Sequence, residues 1–386
     1  MSQEFLLPYG TSPYVARLPP TARVVWPPNA PAPRPLDLVL EEALDDPVAM
    51  PRLEELCPRS GRATVIVSDD TRHEPRRAFV RAVVRRLPTT CRLAIAVASG
   101  RHGPRHPSEL DLDEDVVGRA ELIAHDADRD SELVSLGTTS RGTPVRINRA
   151  LVKSDVVVAT GTIRPHYFAG FGGGAKAVFP GLAGRRDIDT NHELKREPGA
   201  RAGVIDSNPC RLDLEEAAGL MPGQLFLLNA VADAAGGLQA AVAGDVRAAF
   251  RVGAAKCEPL FTVRAPRSGL VVVSDGLPLT SSLYQASKLA AAGACLVEDG
   301  GTLAVVAQCP DGTGPLETVN RGIYEIGIAP RLPDDHRIIL ISDLDAGALA
   351  GSYCEFAESL EAVVAEVGAV PTVLPRAGSL MVVPEG

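Results

Sequence analysis

Short apolar runs alternate along the chain with segments in which apolar residues recur at helical spacing. The apolar runs predict strands near residues 63–67, 92–98, 154–159, 270–273, 302–307, 337–342 and 370–374. The helical spacing predicts helices over residues 74–87, 212–219, 245–256, 283–293 and 356–367. Strands that alternate with helices in this way are typical of parallel α/β architecture.

The length of the chain indicates two domains. With 386 residues it is long for one ordinary domain and long enough for two well-buried cores. The helical pattern gives way to prolines and a glycine over residues 252–268, which indicates a boundary there. We therefore predict an N-terminal α/β domain over residues 1–256 and a C-terminal α/β domain over residues 257–367. The sequence does not assign residues 368–386 to either domain, because their strand could return to the first domain.

Composition narrows the class of partner. The net charge is −9 and aromatic residues make up 4%, so neither a basic nucleic-acid footprint nor a stacking platform is evident. The seven cysteines are scattered with no C-x-x-C pair, which fits neither a zinc site nor a disulfide framework. No apolar run reaches the roughly 18 residues that cross a bilayer, and no secretory signal pattern opens the chain. We expect a cytoplasmic protein with no membrane or nucleic-acid partner.

The segment 161–192 carries the densest candidate chemistry. It reads GTIRPHYFAGFGGGAKAVFPGLAGRRDIDTNH, so His166 and His192 flank Lys176 around a glycine-rich turn. Imidazoles can bind metals or carry protons, and a lysine amine can anchor a group covalently. An ordinary phosphate loop is the simpler interpretation, but G-x-x-x-x-G-K-[ST] is absent and Ala177 follows the lysine. Glycines 172–174 would let the backbone approach a bulky ligand.

Three further motifs stand at predicted strand ends. Asp69-Asp70-Thr71-Arg72 follows the strand near 63–67, and Ser99-Gly100-Arg101-His102-Gly103-Pro104 follows the strand near 92–98. The third follows the strand near 270–273 and ends in Leu283-Tyr284-Gln285-Ala286-Ser287-Lys288, where Ser281 and Ser282 predict a helix start. Open α/β sheets bind ligands at the carboxyl ends of their strands, so these motifs are candidate ligand contacts.

Together these blocks resemble the nickel-pincer-nucleotide-dependent lactate racemase family. Residues 165–181 with Asn191-His192 match the family block P-H-F-F-A-G-[YF]-x-G-G-x-K-x-[IV]-F-P-G and its N-H pair almost letter for letter. Residues 69–72 match D-x-T-R, and residues 275–288 resemble G-x-P-x-D-x-x-L-Y-Q-x-x-K. The resemblance covers nearly the whole chain and implies two α/β domains with parallel-type sheets and an active site in the interdomain cleft.

The resemblance also implies roles for individual residues. Lys176 would hold the cofactor, a pyridinium-3-thioamide-5-thiocarboxylate mononucleotide with nickel, covalently through a thioamide. His192 would ligate the nickel, and His102 and His166 would be the two catalytic acid/bases. The remaining assignments are cofactor contacts at Asp69, Thr71, Gly172, Gly173 and Gly174, and substrate contacts at Arg72, Gln285 and Lys288. Cofactor-biosynthesis proteins would load the group.

One position departs from the family pattern. The family reads G-x-H-R-P where this chain has Gly103 after His102, although Arg101 and Arg105 lie nearby. A neighbouring arginine could substitute, the substrate could differ, or activity could be impaired. The altered spacing also makes His106 a competitor for the role of His102.

The implied activity is racemisation or epimerisation of a 2-hydroxy acid. The hydrogen on C2 is too weakly acidic for a side-chain base, so inversion would run through hydride transfer to the cofactor while a histidine takes the hydroxyl proton. Two alternatives remain open: a nicotinamide-dependent oxidoreductase, which lacks an early G-x-G-x-x-G here, and a non-catalytic homologue that binds the cofactor or a 2-hydroxy acid. Lactate, a longer or dicarboxylic acid and a sugar acid are all compatible substrates.

Overall fold

A computed structural model describes residues 2–72 and 74–385 of the chain. It divides into two compact units. The central unit comprises Ala30–Leu194 and Gly199–Pro259. The terminal unit comprises the chain up to Asn29, the short segment Lys195–Pro198 and the chain from Leu260 onward.

Both ends of the chain differ from the predicted domain division. The N-terminal strands of the terminal unit are β1 (Gln3–Leu7), β2 (Tyr14–Leu18) and β3 (Arg23–Val24). The predicted first domain includes residues 1–29, but β3 pairs in parallel with the strand Pro371–Pro375. That strand lies in the sheet of the terminal unit, so residues 368–386 do not rejoin the first domain.

The described residues of the central unit form ten strands. They are β4 (Arg62–Ser68), β5 (Arg92–Ala98), β6 (Glu121–Ala124), β7 (Leu133–Thr138), β8 (Pro144–Asn148), β9 (Val156–Ile163), β10 (Pro165–His166), β11 (Gly170–Phe171), β12 (Gln224–Ala232) and β13 (Leu238–Asp245). Its helices are α1 (Leu36–Asp45), α2 (Leu53–Leu56), α3 (Arg76–Arg86), α4 (Glu114–Val117), α5 (Arg149–Val152), α6 (Arg185–Glu193), α7 (Pro209–Gly219) and α8 (Ala248–Cys257).

Six of these strands form the main sheet of the central unit. The order is β13-β12-β9-β4-β5-β6, with parallel pairing throughout except between β12 and β13. All eight residues of β9 are buried, and so are five consecutive residues of β4 and of β5. Continuous apolar runs of this kind suit strands that are covered on both faces. The chain first builds outward from β4 to β6 and then returns to the other side of β4 with β9, so a topological switch point lies between β4 and β9.

The terminal unit is built on a parallel sheet of its own. Its remaining elements are β14 (Thr262–Ala265), β15 (Ser268–Ser274), α9 (Leu283–Gly293), β16 (Val297–Val306), β17 (Arg337–Ile341), β18 (Glu355–Phe356), α10 (Leu360–Val367), β19 (Pro371–Pro375) and β20 (Met381–Pro384), with a π-helix over Thr318–Ile328. The sheet order is β18-β17-β16-β15-β19-β3. Helix α9 packs on one face, and α10 with β1 and β2 packs on the other.

Local signals in the sequence account for the ends of these helices. Ser282 caps α9 by accepting from the backbone N–H of Gln285, as its position before the helix predicts. Ser359 caps α10 in the same way, which starts that helix later than predicted, and Gly368 ends it with φ 68°. The α/β prediction with parallel sheets is confirmed. Within the described parts of the chain, no helix is long and apolar enough to span a membrane.

Candidate active site

Three predicted motifs lie beyond the carboxyl ends of neighbouring strands in the central unit. Strands β5, β4 and β9 are adjacent and parallel, and they lead to His102, to Asp69–Arg72 and to His166 respectively. The switch point between β4 and β9 falls among them. The sheet therefore brings these segments to the edge where open α/β sheets bind ligands.

Asp69 and His102 form a hydrogen-bonded pair. Asp69 is only 2% exposed, and its Oδ2 lies 2.5 Å from Nδ1 of His102. Its other oxygen accepts from the hydroxyl of Thr71 at 2.5 Å and from the Thr71 backbone N–H at 3.2 Å. Burial raises the pKa of Asp69, but the hydrogen bonds from His102 and Thr71 outweigh it and leave the pKa below its usual range. An ionised Asp69 holds the proton of His102 on Nδ1 and leaves Nε2 as the basic nitrogen.

The turn after β4 is fixed from beneath by an arginine. Arg76 donates to the carbonyl oxygen of Ser68 at 2.7 Å and also to the carbonyl oxygens of Asp69 and Arg72. The side chain of Arg72 itself is exposed and forms neither a hydrogen bond nor an ion pair with a described residue. Its guanidinium group is therefore available for a carboxylate, the partner predicted for it.

His166 and Lys176 form a second pair. Nε2 of His166 lies 3.1 Å from Nζ of Lys176, and Nδ1 of His166 accepts from the backbone N–H of Ala169 at 3.2 Å. Burial lowers the pKa of His166 well below its usual value, and neighbouring positive charges, among them those of Arg72 and Arg211, lower it further. Burial also lowers the pKa of Lys176 well below its usual range, with Arg211 and Arg72 adding to the effect.

One aromatic ring joins the residues of the segment 161–192. The ring of Phe168 lies edge-on to His166 at 4.6 Å and to His192 at 5.1 Å, measured between centroids. Nζ of Lys176 lies 5.4 Å from the centroid of the same ring. The predicted base, metal ligand and anchor are thus grouped around Phe168, to which sequence reasoning gave no role although it stands inside the matched motif.

The glycines before Lys176 have structural reasons to be glycine. Gly173 and Gly174 have φ values of 74° and 65°, in the left-handed region. A Cβ at Gly173 would lie 2.4 Å from the side-chain oxygen of Asn229, and one at Gly174 would lie 2.7 Å from the ring of Phe250. Gly172 has ordinary space around its Cβ position. Contacts of these glycines with a cofactor stay a prediction.

A buried arginine holds the loop that carries Lys176. Arg211 on α7 is fully buried and donates to the carbonyl oxygens of Ala169 at 3.2 Å, of Gly173 at 3.5 Å and of Phe171. Its guanidinium carbon lies 4.2 Å from the centroid of Phe250. Burial lowers the pKa of Arg211 to about 10, so it remains charged at neutral pH. Sequence reasoning missed Arg211; the only local signal was the Asn-Pro pair that caps α7.

Polar contacts fix the helix that presents His192. On α6, Asp187 is 1% exposed and pairs with Arg146 at 2.9 Å. Asn191 is also buried and donates to the carboxylate of Asp213 at 2.8 Å. These contacts orient α6 although its sequence has almost no apolar face.

Position 103, where this chain has glycine and the family pattern has arginine, has room for a side chain. A Cβ there would meet nothing within 4 Å. Both flanking arginines are engaged, because Arg101 pairs with Asp189 at 3.1 Å and Arg105 pairs with Asp70 at 3.2 Å.

His106 has a local task that sets it apart from His102. Its Nδ1 lies 2.6 Å from the hydroxyl of Ser108 and accepts from the Ser108 backbone N–H at 3.3 Å. This contact caps the short 3₁₀ turn Pro107–Glu109. His102 pairs with Asp69 and His106 with Ser108, and the choice of His102 as the base stays a prediction.

The last two predicted site residues lie on α9 of the terminal unit. Nζ of Lys288 donates to Oε1 of Gln285 at 2.6 Å and lies 5.1 Å from the ring centroid of Tyr284. The two side chains, three residues apart, therefore lie on one face of α9. Their role in substrate binding stays a prediction.

Comparisons with known proteins identify the family. Residues 9–203 match the family model described as lactate racemase N-terminal domain. The lactate racemase of Lactiplantibacillus plantarum is 30% identical over 380 residues, which is 90% of this chain and 89% of that protein. The chain belongs to the lactate racemase family.

Two further comparisons agree with this membership. The family member from Thermoanaerobacterium thermosaccharolyticum is 30% identical over 337 residues, 79% of each chain. A solved structure of the lactate racemase apoprotein from the same organism superposes with a TM-score of 0.89 at 26% identity, covering 99% of this chain and 100% of that one. The predicted resemblance is confirmed, and with it the prediction that the chain is an enzyme of the isomerase class, a racemase. The comparisons favour this activity over the oxidoreductase and the non-catalytic homologue.

Proposed function

We propose that the chain inverts C2 of a 2-hydroxy acid, using His102 and His166 as opposing acid/base groups and a nickel-pincer nucleotide held at Lys176. The observation that carries the proposal is the pair of hydrogen bonds at Nδ1 of the two imidazoles, from which the position of each ring proton is inferred. Asp69 holds the proton of His102 on Nδ1, so Nε2 accepts. The Ala169 N–H occupies Nδ1 of His166, so Nε2 carries the proton and donates. Racemisation needs one acceptor and one donor.

The residues present fit the cofactor that the family resemblance implies. The hydroxyls of Ser68 and Thr162, near the carboxyl ends of β4 and β9, are buried and have no hydrogen-bond partner among the described residues. Two orphaned hydroxyls at these strand ends and a lysine amine of lowered pKa in the same unit suit a polar, covalently held ligand. Lys176 would attach the group through a thioamide, and Asp69, Thr71 and glycines 172–174 would contact its nucleotide.

His192 would be the protein ligand to nickel in this proposal. The described residues hold no cluster of three or more His, Cys, Asp or Glu side chains suited to a metal ion. We propose that the cofactor provides the other ligands through sulfur and carbon. Soft donors together with one imidazole would be a reasonable ligand set for nickel(II).

When bound, the cofactor would supply reversible hydride-acceptor chemistry at C2 of the substrate. The chain's own residues manage the hydroxyl proton. Nε2 of His102 would take it from one enantiomer, and Nε2 of His166 would return a proton at the opposite side. The exposed guanidinium of Arg72 would bind the substrate carboxylate, with Gln285 and Lys288 as further substrate contacts. We also propose a cytoplasmic location and loading by cofactor-biosynthesis proteins.

A panel of single-enantiomer substrates tests this function. Holoprotein would be incubated with lactate, a longer acid, a dicarboxylic acid and a sugar acid, and C2 inversion followed by chiral chromatography. We expect inversion of at least one acid by the holoprotein and none by the apoprotein or by Lys176→Ala. Nickel-loaded protein that inverts none of them would indicate a binding homologue, and inversion that requires added nicotinamide would indicate an oxidoreductase.

A further inference from the structure

The direction of one hydrogen bond sets the charge of Lys176. Because the Ala169 N–H points at Nδ1 of His166, that nitrogen carries a lone pair and the ring proton lies on Nε2. Nε2 faces Nζ of Lys176 at 3.1 Å. An Nε2–H group can only donate, so Nζ must accept, and an ammonium group has no lone pair with which to accept.

The charged groups on the elements around His166 and Lys176 also favour an uncharged Lys176 amine. Arg211 on α7 and Arg72 after β4 both act on Lys176 with positive charge, and only the thiol of Cys210 opposes them. His192 on α6 acts on His166 in the same direction. Among the described residues, no carboxylate is one of the charged groups that shift the pKa of Lys176. An ammonium group in this largely enclosed position would lack a counter-ion, which favours the uncharged amine.

We propose that the apoprotein holds Lys176 as an uncharged amine, hydrogen-bonded by Nε2–H of a neutral His166 and kept neutral by Arg211, and that this singles it out for reaction with carbonyl-type electrophiles. Arg211 acts here as a positioning residue, through the three loop carbonyls that it binds and through its charge. This inference rests on the anchor role proposed above and adds the protonation state of Lys176 before the cofactor is attached.

The chemistry of attachment explains why that state matters. Condensation of an amine with a thiocarboxylic acid to a thioamide forms one C–N bond, breaks one C–O bond and releases water. The reaction needs no oxidant or reductant. The reaction starts from the lone pair of Nζ, which an ordinary lysine exposes in fewer than about one molecule in a thousand at neutral pH. Once Nζ is a thioamide nitrogen it is a poor acceptor, so Nε2–H of His166 loses this partner and is free for the substrate.

Competitive labelling of the full-chain apoprotein tests the inference without the cofactor. Trace acetic anhydride would be added from about pH 6 to about pH 11, which spans the ordinary lysine pKa of about 10.4. Acylation of each lysine would be read by peptide mass spectrometry as a fraction of its own plateau, which separates proton state from access. The exposed Lys153 is the internal control.

We expect the midpoint of the Lys176 labelling profile to lie at a lower pH than that of Lys153. At pH 7 the relative labelling of Lys176 should then be at least about tenfold greater. Arg211→Met should move the midpoint of the Lys176 profile to a higher pH. If Arg211 had a purely structural role, that midpoint would stay unchanged. If that variant does not fold, Arg72→Gln removes the other facing charge from an exposed side chain. Coincident profiles for Lys176 and Lys153 would overturn the inference and leave the racemase proposal standing, since inversion of a hydroxy acid is measured separately on the holoprotein.

Discussion

Replacement of Asp69 by asparagine should disable His102 while leaving the shape of the site intact. Both donors of Thr71 point at Oδ1 of Asp69, so the carbonyl oxygen of an asparagine would take that position. Its NH2 group would then face Nδ1 of His102, where Oδ2 now lies at 2.5 Å. A donor at that place forces the ring proton onto Nε2, and the nitrogen that should act as base becomes protonated.

The magnitude follows from the interaction that is lost. A hydrogen bond to a charged group contributes about 1.5–3 kcal/mol, or roughly 10- to 150-fold in rate if it is fully used in the transition state. Loss of a competent general base costs on the order of 10²–10⁴. We expect Asp69→Asn to lower kcat for inversion by about 10²–10⁴-fold, measured by chiral chromatography.

A matched control separates this effect from cofactor loading and from general disturbance of the turn. Asp70→Asn alters the neighbouring carboxylate, which is exposed and pairs with Arg105, and should change the rate little. Adduct mass and nickel content should be measured on both variants, because Asp69 is also a proposed cofactor contact. Equal loading with a rate within about threefold of the parent, far less than general-base loss, would refute the reasoning about His102.

Four further changes probe other parts of the site. Lys176→Ala should abolish the covalent cofactor adduct with the fold intact, and an unchanged intact mass of the loaded protein would contradict the anchor role. His192→Ala should lower nickel retention more than loss of either catalytic histidine does, and equal nickel loss in all three variants would mean that ligand and base are confused. Gly174→Ala should lower the free energy of unfolding by roughly 2–5 kcal/mol in urea denaturation, because a left-handed alanine costs about 1–2 kcal/mol and overpacking against Phe250 about 1–3 kcal/mol. Gly103→Arg should fold with unchanged stability and lower KM for substrates with a small side chain, and a loss of stability above about 1 kcal/mol would show that the site is less open than its geometry indicates.

The positions of the motifs after predicted strands indicated which of them lie close together. Uninterrupted apolar runs marked β4, β5 and β9 as buried parallel strands, and parallel strands deliver their carboxyl ends to one edge. That reasoning, together with the family motifs, placed Asp69, His102 and His166 in the same neighbourhood.

Elements held by polar contacts gave no such signal. Helix α6 has one buried apolar residue, Ile188, and depends on Asp187 and Asn191 for its position. The hydrogen bonds of Arg211 reach carbonyls about forty residues earlier in the chain. Neither contact leaves a periodic pattern, because each depends on where the tertiary fold puts its partner.

The hairpin β12–β13 was missed for a different reason. Strand β13 is rich in alanine, which is depleted in strands, and Asn229 interrupts the apolar run of β12. Gly236-Gly237 between the two runs is a hairpin signal that could have found it. The omission mattered, because Asn229 fixes the loop before Lys176 through its bond to the Gly174 N–H at 2.8 Å.

The most direct test of two opposing bases is a single-turnover experiment with each enantiomer on His102→Gln and His166→Gln. Both variants should lose racemisation in both directions, by about 10²–10⁴-fold. Each should still release a trace of 2-keto acid from one enantiomer much faster than from the other, and the favoured enantiomer should swap between the two variants. The same preference in both variants, or an effect that follows His106→Gln and not His102→Gln, would contradict the assignment of His102 and His166 as opposing acid/base groups.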